Sequence, residues 1–286
     1  MTDFLVPKTC KQLLQLRAKH EDFVILAGGT DLCVQINSGL LKPKGIISMS
    51  HIDDLKEIKA DDEGIHIGAM ATHTDAVNSP LVNKYLPALG MACRQVGAVQ
   101  IQNRGTIGGN VMNASPAGDT LPVLLAYDAV VELASVDGKR KIAFKDFYVG
   151  YRRTVLKPSE VVIGFTIQKR KKKDVSSFQK IGTRKAQAIS KVMVCTAYKL
   201  EKGIIKDARV ALGSVAAIPI RLNSVEVLLE GNKLNAELIQ QAAELTRNEV
   251  KPIDDIRSTA DYRRHVAGVL VSRCLRACFS PRKYFV

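Results

Sequence analysis

Phe23-Val24-Ile25-Leu26-Ala27-Gly28-Gly29-Thr30-Asp31-Leu32 carries an apolar run straight into two glycines and a polar pair, and Gly105-Thr106-Ile107-Gly108-Gly109-Asn110 returns to the same theme further along the chain. Glycine reaches positive φ at little cost and has no Cβ, so successive backbone N–H groups turn toward one point and approach a phosphate closely. Read together, the two segments predict two turns, each ending a strand-like run, that form the halves of one anion cradle suited to a diphosphate. A bare Gly-Gly pair is an ordinary turn more often than a phosphate site, so neither segment is specific alone.

Outward from the first segment, residues 9–19 space Leu13, Leu14 and Leu16 as a short amphipathic helix, and residues 23–27 read as a buried strand. Residues 46–49, 65–67, 129–133 and 161–167 read as further strands, residues 80–95 as mostly helix, with another short helix starting near Pro122. The charged connector 168–174 marks a domain boundary. Beyond it, residues 178–181, 192–200 and 208–212 alternate as strands, and residues 225–230, 236–250 and 260–278 carry helical spacing, with Ser258-x-x-Asp261 suiting a capping box for the last.

The 286 residues, 46% of them hydrophobic, suit about two domains with well-buried cores. No apolar run approaches the roughly 18 residues of a membrane span. The start, Met1-Thr2-Asp3-Phe4, lacks the basic-then-apolar order of a signal peptide, which predicts a cytoplasmic location. Six scattered cysteines, Cys10, Cys33, Cys93, Cys195, Cys274 and Cys278, contain no Cys-x-x-Cys pair. They read as structural thiols, with no zinc or iron–sulfur ligand set. No nucleophilic triad or catalytic carboxylate pair stands out, and His73 reads as a polar residue at a helix start.

A formal charge of +14 raises nucleic acid as a partner, but fifteen basic residues against three acidic ones fall between Lys139 and Lys185 alone. That concentration, without a platform of stacking aromatics, argues against nucleic acid. It leaves two readings: a solvated turn at Lys169 to Lys173 with a few anion-facing residues, or docking of the basic segment on one acidic partner, which charge reversal at Lys171 to Lys173 would weaken.

In context the two glycine segments are more telling. Residues 25–32, then Val96-Gly97, then Thr106-Ile107-Gly108-Gly109-Asn110 with Ser115-Pro116 and Asp119 downstream, resemble the FAD-binding medium subunit of molybdenum hydroxylases, the xanthine dehydrogenase and carbon monoxide dehydrogenase type. Gly150-Tyr151-Arg152-Arg153-Thr154 and the tail from Ile256 to Arg264 also resemble that family, so the likeness spans nearly the whole chain. It implies an α+β fold: a two-lobed FAD-binding domain of the vanillyl-alcohol-oxidase (PCMH) type over residues 1–170, then a small three-stranded sheet with helices over residues 175–286.

By the same resemblance, Ile25, Leu26, Ala27, Gly28, Gly29, Thr30, Asp31 and Leu32 wrap the FAD diphosphate, and Thr106, Ile107, Gly108, Gly109 and Asn110 complete the cradle. Asp119 hydrogen-bonds on the adenosine or ribityl side, Gly97 leaves room beside the cofactor, and Val162 and Lys180 line it. From the residues alone, Asp119 equally caps the next helix and Lys180 equally points to solvent. The first loop holds no histidine, which implies non-covalent FAD. The implied protein is one subunit of a hetero-oligomer. Molybdopterin belongs to a large partner subunit that oxidises a purine or other N-heterocycle, and 2Fe-2S clusters belong to a small one. Electrons pass from the clusters through FAD to NAD or another acceptor, with Arg184 and Lys185 favouring an anionic one. Two alternatives stay open here, a self-sufficient FAD oxidoreductase of the same flavin fold and a non-enzymatic basic binding protein.

Overall fold

A computed structural model describes residues 2–170 and 174–277. The chain opens with a parallel sheet in the order Asp3–Leu5, Gly45–Ser48, Val24–Leu26, with Val24 beside Ile46 and Asp3 beside Gly45. Helix Cys10–Lys19 crosses between its strands; the Thr9 side chain caps it and Leu13 anchors it in a small core with Phe23 and Ile47. The strand Val24–Leu26 then delivers the chain into the first glycine segment, where Gly29 takes φ +77° before helix Leu32–Asn37 begins.

The second lobe is a five-stranded antiparallel sheet in the order Ile58–Ala60, Ile65–Gly68, Val161–Ile167, Val130–Ser135, Gly138–Ala143. Short helices between residues 73 and 126 pack against it. The helical stretch expected over residues 80–95 is two helices, Pro80–Tyr85 and Pro87–Arg94, because Pro87 drives Leu86 out of helical geometry (ψ 49°). A larger difference concerns the second glycine segment. It is preceded by the single helical turn Val99–Gln102 rather than a strand, and Ile107 to Asn110 lie inside helix Ile107–Met112, whose N-cap is Thr106. The Thr106 hydroxyl accepts from the Gly109 amide at 2.9 Å, and that cap starts a helix where a turn was expected.

The C-terminal sheet is antiparallel, Asp174–Ile181, Val192–Glu201, Ile204–Gly213 and the two-residue strand Ile220–Arg221, so a fourth short strand joins the three expected. Helices Asn223–Leu229, Ala236–Glu249 and Ala260–Arg276 cover one face. The last is capped by Thr259, which accepts from the Tyr262 amide; Ser258, expected in that role, pairs with Asp255 in the preceding turn. Along the central strand, Val192, Val194 and Tyr198 face these helices, while Met193, Cys195 and Ala197 join the core that also holds Leu121, Leu125 and Phe165. Both faces are therefore dry, which is why this strand is apolar at nearly every position. Among the described residues no helix is long and apolar enough to cross a membrane.

Candidate functional site

The two glycine segments are pressed together. An ideal Cβ on Gly28 would lie 1.9 Å from the backbone oxygen of Arg104, and one on Gly105 would lie 3.2 Å from Thr30 Oγ1. Only glycine at position 28 lets the first loop close over the second segment. Among the described residues the amides of Gly28, Gly29, Thr30 and Asp31 donate to nothing. They border a cavity of about 590 Å³. Unsatisfied N–H groups beside a cavity are what an anionic bridge requires.

The second segment contributes differently from the expected amide turn. Ile107 N donates to Ala71 O, Gly108 N to Ala69 O, Gly109 N to Thr106 Oγ1 and Asn110 N to Thr106 O. Its donors are taken up by the fold, and its glycines serve as a flat wall: a Cβ on Gly108 would strike Ala69, and one on Gly109 would meet Thr106 Oγ1 at 3.0 Å.

A second cavity of about 860 Å³ continues from the first, sharing Thr30, Asp31, Asn110 and Arg152, and runs into the seam between the N-terminal part and the C-terminal sheet. Gly97, with φ +51°, lies on its wall, and its carbonyl accepts from the Gln187 amide at 2.9 Å across the seam. Asp119 faces this cavity from beneath. Its carboxylate accepts from Lys180 Nζ at 2.6 Å and from Ser190 Oγ at 2.5 Å, and both charged side chains are only 7% exposed. Burial pushes the Asp119 carboxyl up, against the opposing pull of Lys180 and Ser190. Lys180 also donates to Gln95 O at 2.9 Å. Its cation is thus committed to Asp119 and a backbone oxygen, and it borders neither cavity.

Of the residues expected at the site, Ile25, Ala27 to Leu32, Thr106, Gly108 to Asn110 and Val162 line the first cavity, and Gly97 and Asp119 line the second. Leu26 and Ile107 line neither, Ile107 being fully buried in the core. Asp119 is not a helix cap either, since Thr120 occupies that position. Sequence reasoning missed three wall residues. Arg152, at φ +52° in the turn between Tyr148–Gly150 and Arg153–Thr154, touches both cavities. Ser190 clamps Asp119. His73, expected to be an ordinary polar residue at a helix start, is 2% exposed, lines the first cavity, and is held by burial at a pKa of about 4.

Part of the basic stretch is paired within the chain. Arg140 binds Glu160 through two hydrogen bonds, Lys141 reaches Glu63, Lys180 holds Asp119, and Arg184 folds back onto the carbonyls of Ala186 and Gln187. Lys171 to Lys173, like Cys278, lie outside the described residues. Among the described residues no three His, Cys, Asp or Glu side chains gather to hold a metal ion.

Both parts of the chain match known protein families. Residues 1–167 match the FAD binding domain in molybdopterin dehydrogenase, and residues 177–278 match the CO dehydrogenase flavoprotein C-terminal domain. The chain is 32% identical over 274 residues to the nicotinate dehydrogenase FAD-subunit of Eubacterium barkeri, covering 93% of each. It is 31% identical over 251 residues to the glyceraldehyde dehydrogenase medium chain of Sulfolobus acidocaldarius, covering 88% of this chain and 89% of that one. The solved carbon monoxide dehydrogenase of Hydrogenophaga pseudoflava superposes with a TM-score of 0.94 at 26% identity, over 98% of this chain and 97% of its counterpart. With a donor-lined cradle leading into a cavity at the seam, and with both of its parts matched, the chain belongs to the FAD-binding medium subunits of the molybdopterin hydroxylases, oxidoreductases of the carbon monoxide dehydrogenase and xanthine dehydrogenase type.

Proposed function

We propose that this chain is the electron-output subunit of a hetero-oligomer in which a purine or other N-heterocycle is oxidised at the molybdopterin of a large subunit, and electrons travel through 2Fe-2S clusters of a small subunit to FAD held here and on to NAD⁺ or another acceptor. The observation that carries the reading is the continuous cavity. It begins at four partnerless amides, Gly28 to Asp31, and ends in a polar seam floored by Asp119, as an extended dinucleotide requires.

In this reading the Gly28 to Asp31 amides hold the diphosphate, Thr106 and Gly108 to Asn110 form the wall behind it, and Val162 packs alongside. Gly97 leaves room beside the cofactor and Asp119 borders its adenosine or ribityl side, with the Asp119 side chain fixed by Lys180. When bound, FAD supplies a redox store that fills by single electrons and empties as a hydride-equivalent pair. The protein contributes orientation, a donor set for the anion and a seam that limits water. Residues 182–190 border the acceptor side through Gln187 and Ser190, and there Arg184 and Lys185 place positive charge near an incoming anionic acceptor.

Co-expression of the chain with the subunits encoded beside it tests the proposal. The expected result is a yellow complex that co-purifies with molybdenum and iron and whose flavin bleaches when an N-heterocycle is added. A colourless chain that takes up no FAD, or a flavoprotein that reduces acceptors without partner subunits, overturns it. For the acceptor, Arg184→Ala with Lys185→Ala should raise KM for NAD⁺ and flatten its dependence on ionic strength; unchanged kinetics across salt would reject that part.

A further inference from the structure

His73 is the first residue of helix His73–Asn78, and its position is fixed twice over. Thr72 and Asp75 form a capping box around the helix start, and the His73 amide donates to Gly105 O at 3.0 Å. The imidazole is thereby clamped behind the second glycine segment. Its Cδ2 lies 3.2 Å from the place a Gly105 Cβ would occupy, the same distance at which Thr30 Oγ1 approaches from the first loop. The residue is 2% exposed and lines the same cavity as Gly28 to Asp31.

Nδ1 of His73 is sealed and has no hydrogen-bond partner, whereas Nε2 is not among the sealed atoms. A buried N–H without an acceptor is rarer than a buried lone pair without a donor, so the bare nitrogen is Nδ1 and the proton sits on Nε2. An apolar side chain would fill the same space without stranding a nitrogen. Among the described residues nothing pairs with the imidazole nitrogens, and the residue that owns this free donor lines the cavity.

We infer that His73 is an FAD-binding residue whose neutral imidazole donates Nε2–H to an oxygen of the cofactor's diphosphate, completing from behind the second segment the donor set that the first loop begins. The inference rests on the proposed cradle. It supplies, from helix His73–Asn78, a donor on the side where the second segment's amides are consumed by its own fold.

The test is titration of the cofactor-free full chain with FAD, read by flavin fluorescence, for the parent, His73→Leu, His73→Asn and His73→Gln. A glutamine amide nitrogen reaches the Nε2 position and an asparagine nitrogen the Nδ1 position. Leucine and asparagine should weaken FAD about tenfold, equivalent to about 1.4 kcal/mol, and glutamine should restore affinity to within about threefold of the parent. In ³¹P NMR of the bound cofactor, the diphosphate lines should move in His73→Leu and return in His73→Gln. Parental affinity in folded His73→Leu, or equal losses in all three variants with unmoved phosphorus lines, overturns the assignment. A parent that binds no FAD overturns the cradle itself, and so the two failures are told apart.

Discussion

Gly28→Ala is the smallest change that separates the two halves of the cradle. The added carbon would sit 1.9 Å from Arg104 O, 2.6 Å from Arg104 C and 3.0 Å from Gly105 Cα. Real Cβ contacts essentially never fall below 3.0 Å, so the segments must part by at least 1.1 Å, the difference between 3.0 and 1.9 Å. The obstacle is backbone and has no rotamer to escape into. Overpacking of this kind costs about 1–3 kcal/mol, and at about 2–4 °C per kcal/mol for a chain near this size the melting temperature falls by about 4–8 °C for a mid-range cost. Cofactor binding suffers more. Hydrogen bonds span a window of only about 0.5 Å in length, and losing two bonds to an anion, each about 1.5–3 kcal/mol, weakens FAD by about a hundredfold or more. Gly150→Ala is the control, since Gly150, like Gly28, does not lie at positive φ and has nothing within 4 Å of its would-be Cβ. Scanning calorimetry of cofactor-free and FAD-loaded protein, with flavin counted per chain after gel filtration, reads both effects. A Gly28→Ala protein that melts within about 1 °C of the parent and keeps a full flavin complement would falsify the reasoning.

Other perturbations probe the surrounding network. Lys180→Met strands the buried Asp119 carboxylate and should cost about 3–5 kcal/mol in urea unfolding, with Asp119→Asn in the same chain recovering part of it; a loss below about 1 kcal/mol would show that the pair is solvated. Burial holds His73 near pKa 4 against 6.5 for a free imidazole. The unfolded chain therefore takes up its proton first, and stability of the cofactor-free protein should fall by about 3 kcal/mol as pH drops between those values. His73→Leu should remove that slope, and identical pH profiles would contradict it. The Arg140 guanidinium holds Glu160 below the usual carboxylate range, so this stabilisation is present above the unfolded pKa and lost as pH falls through the folded one. Arg140→Met should accordingly shift acid unfolding to higher pH, as followed by circular dichroism. Alkylation mapped by mass spectrometry should modify exposed Cys33 in the native protein but spare Cys93, Cys195 and Cys274 until unfolding, since burial raises all three thiols.

The sheets and the first loop were legible because their signals are local. An apolar run ending in Gly28-Gly29 can do little else, and residues 161–167 form the expected strand, Val161–Ile167. The second segment was misread as a turn because its glycines mimic one; the Thr106 cap that makes it a helix depends on a hydroxyl geometry that spacing alone does not announce. Lys180 and Asp119 were each singled out through family likeness as residues beside the cofactor, but their pairing spans 61 residues and the domain seam. Residue type could not reveal that one charge would neutralise the other. His73 reads from the sequence as a polar residue at a helix start for a similar reason: its burial against Gly105 is supplied by tertiary packing.

The central C-terminal strand, with Met193, Cys195 and Ala197 turned toward the N-terminal core and Val192, Val194 and Tyr198 toward its own helices, acts as a weld between the two halves. Neither half can swing away without wetting that strand, so the jaws of the seam are not free to open as a hinge. In the proposed reading, access to the seam therefore falls to the small loops at its rim, chiefly residues 187–190 and the Arg152 corner, and severing the polypeptide near residue 170 should yield two fragments that are each incomplete without the other.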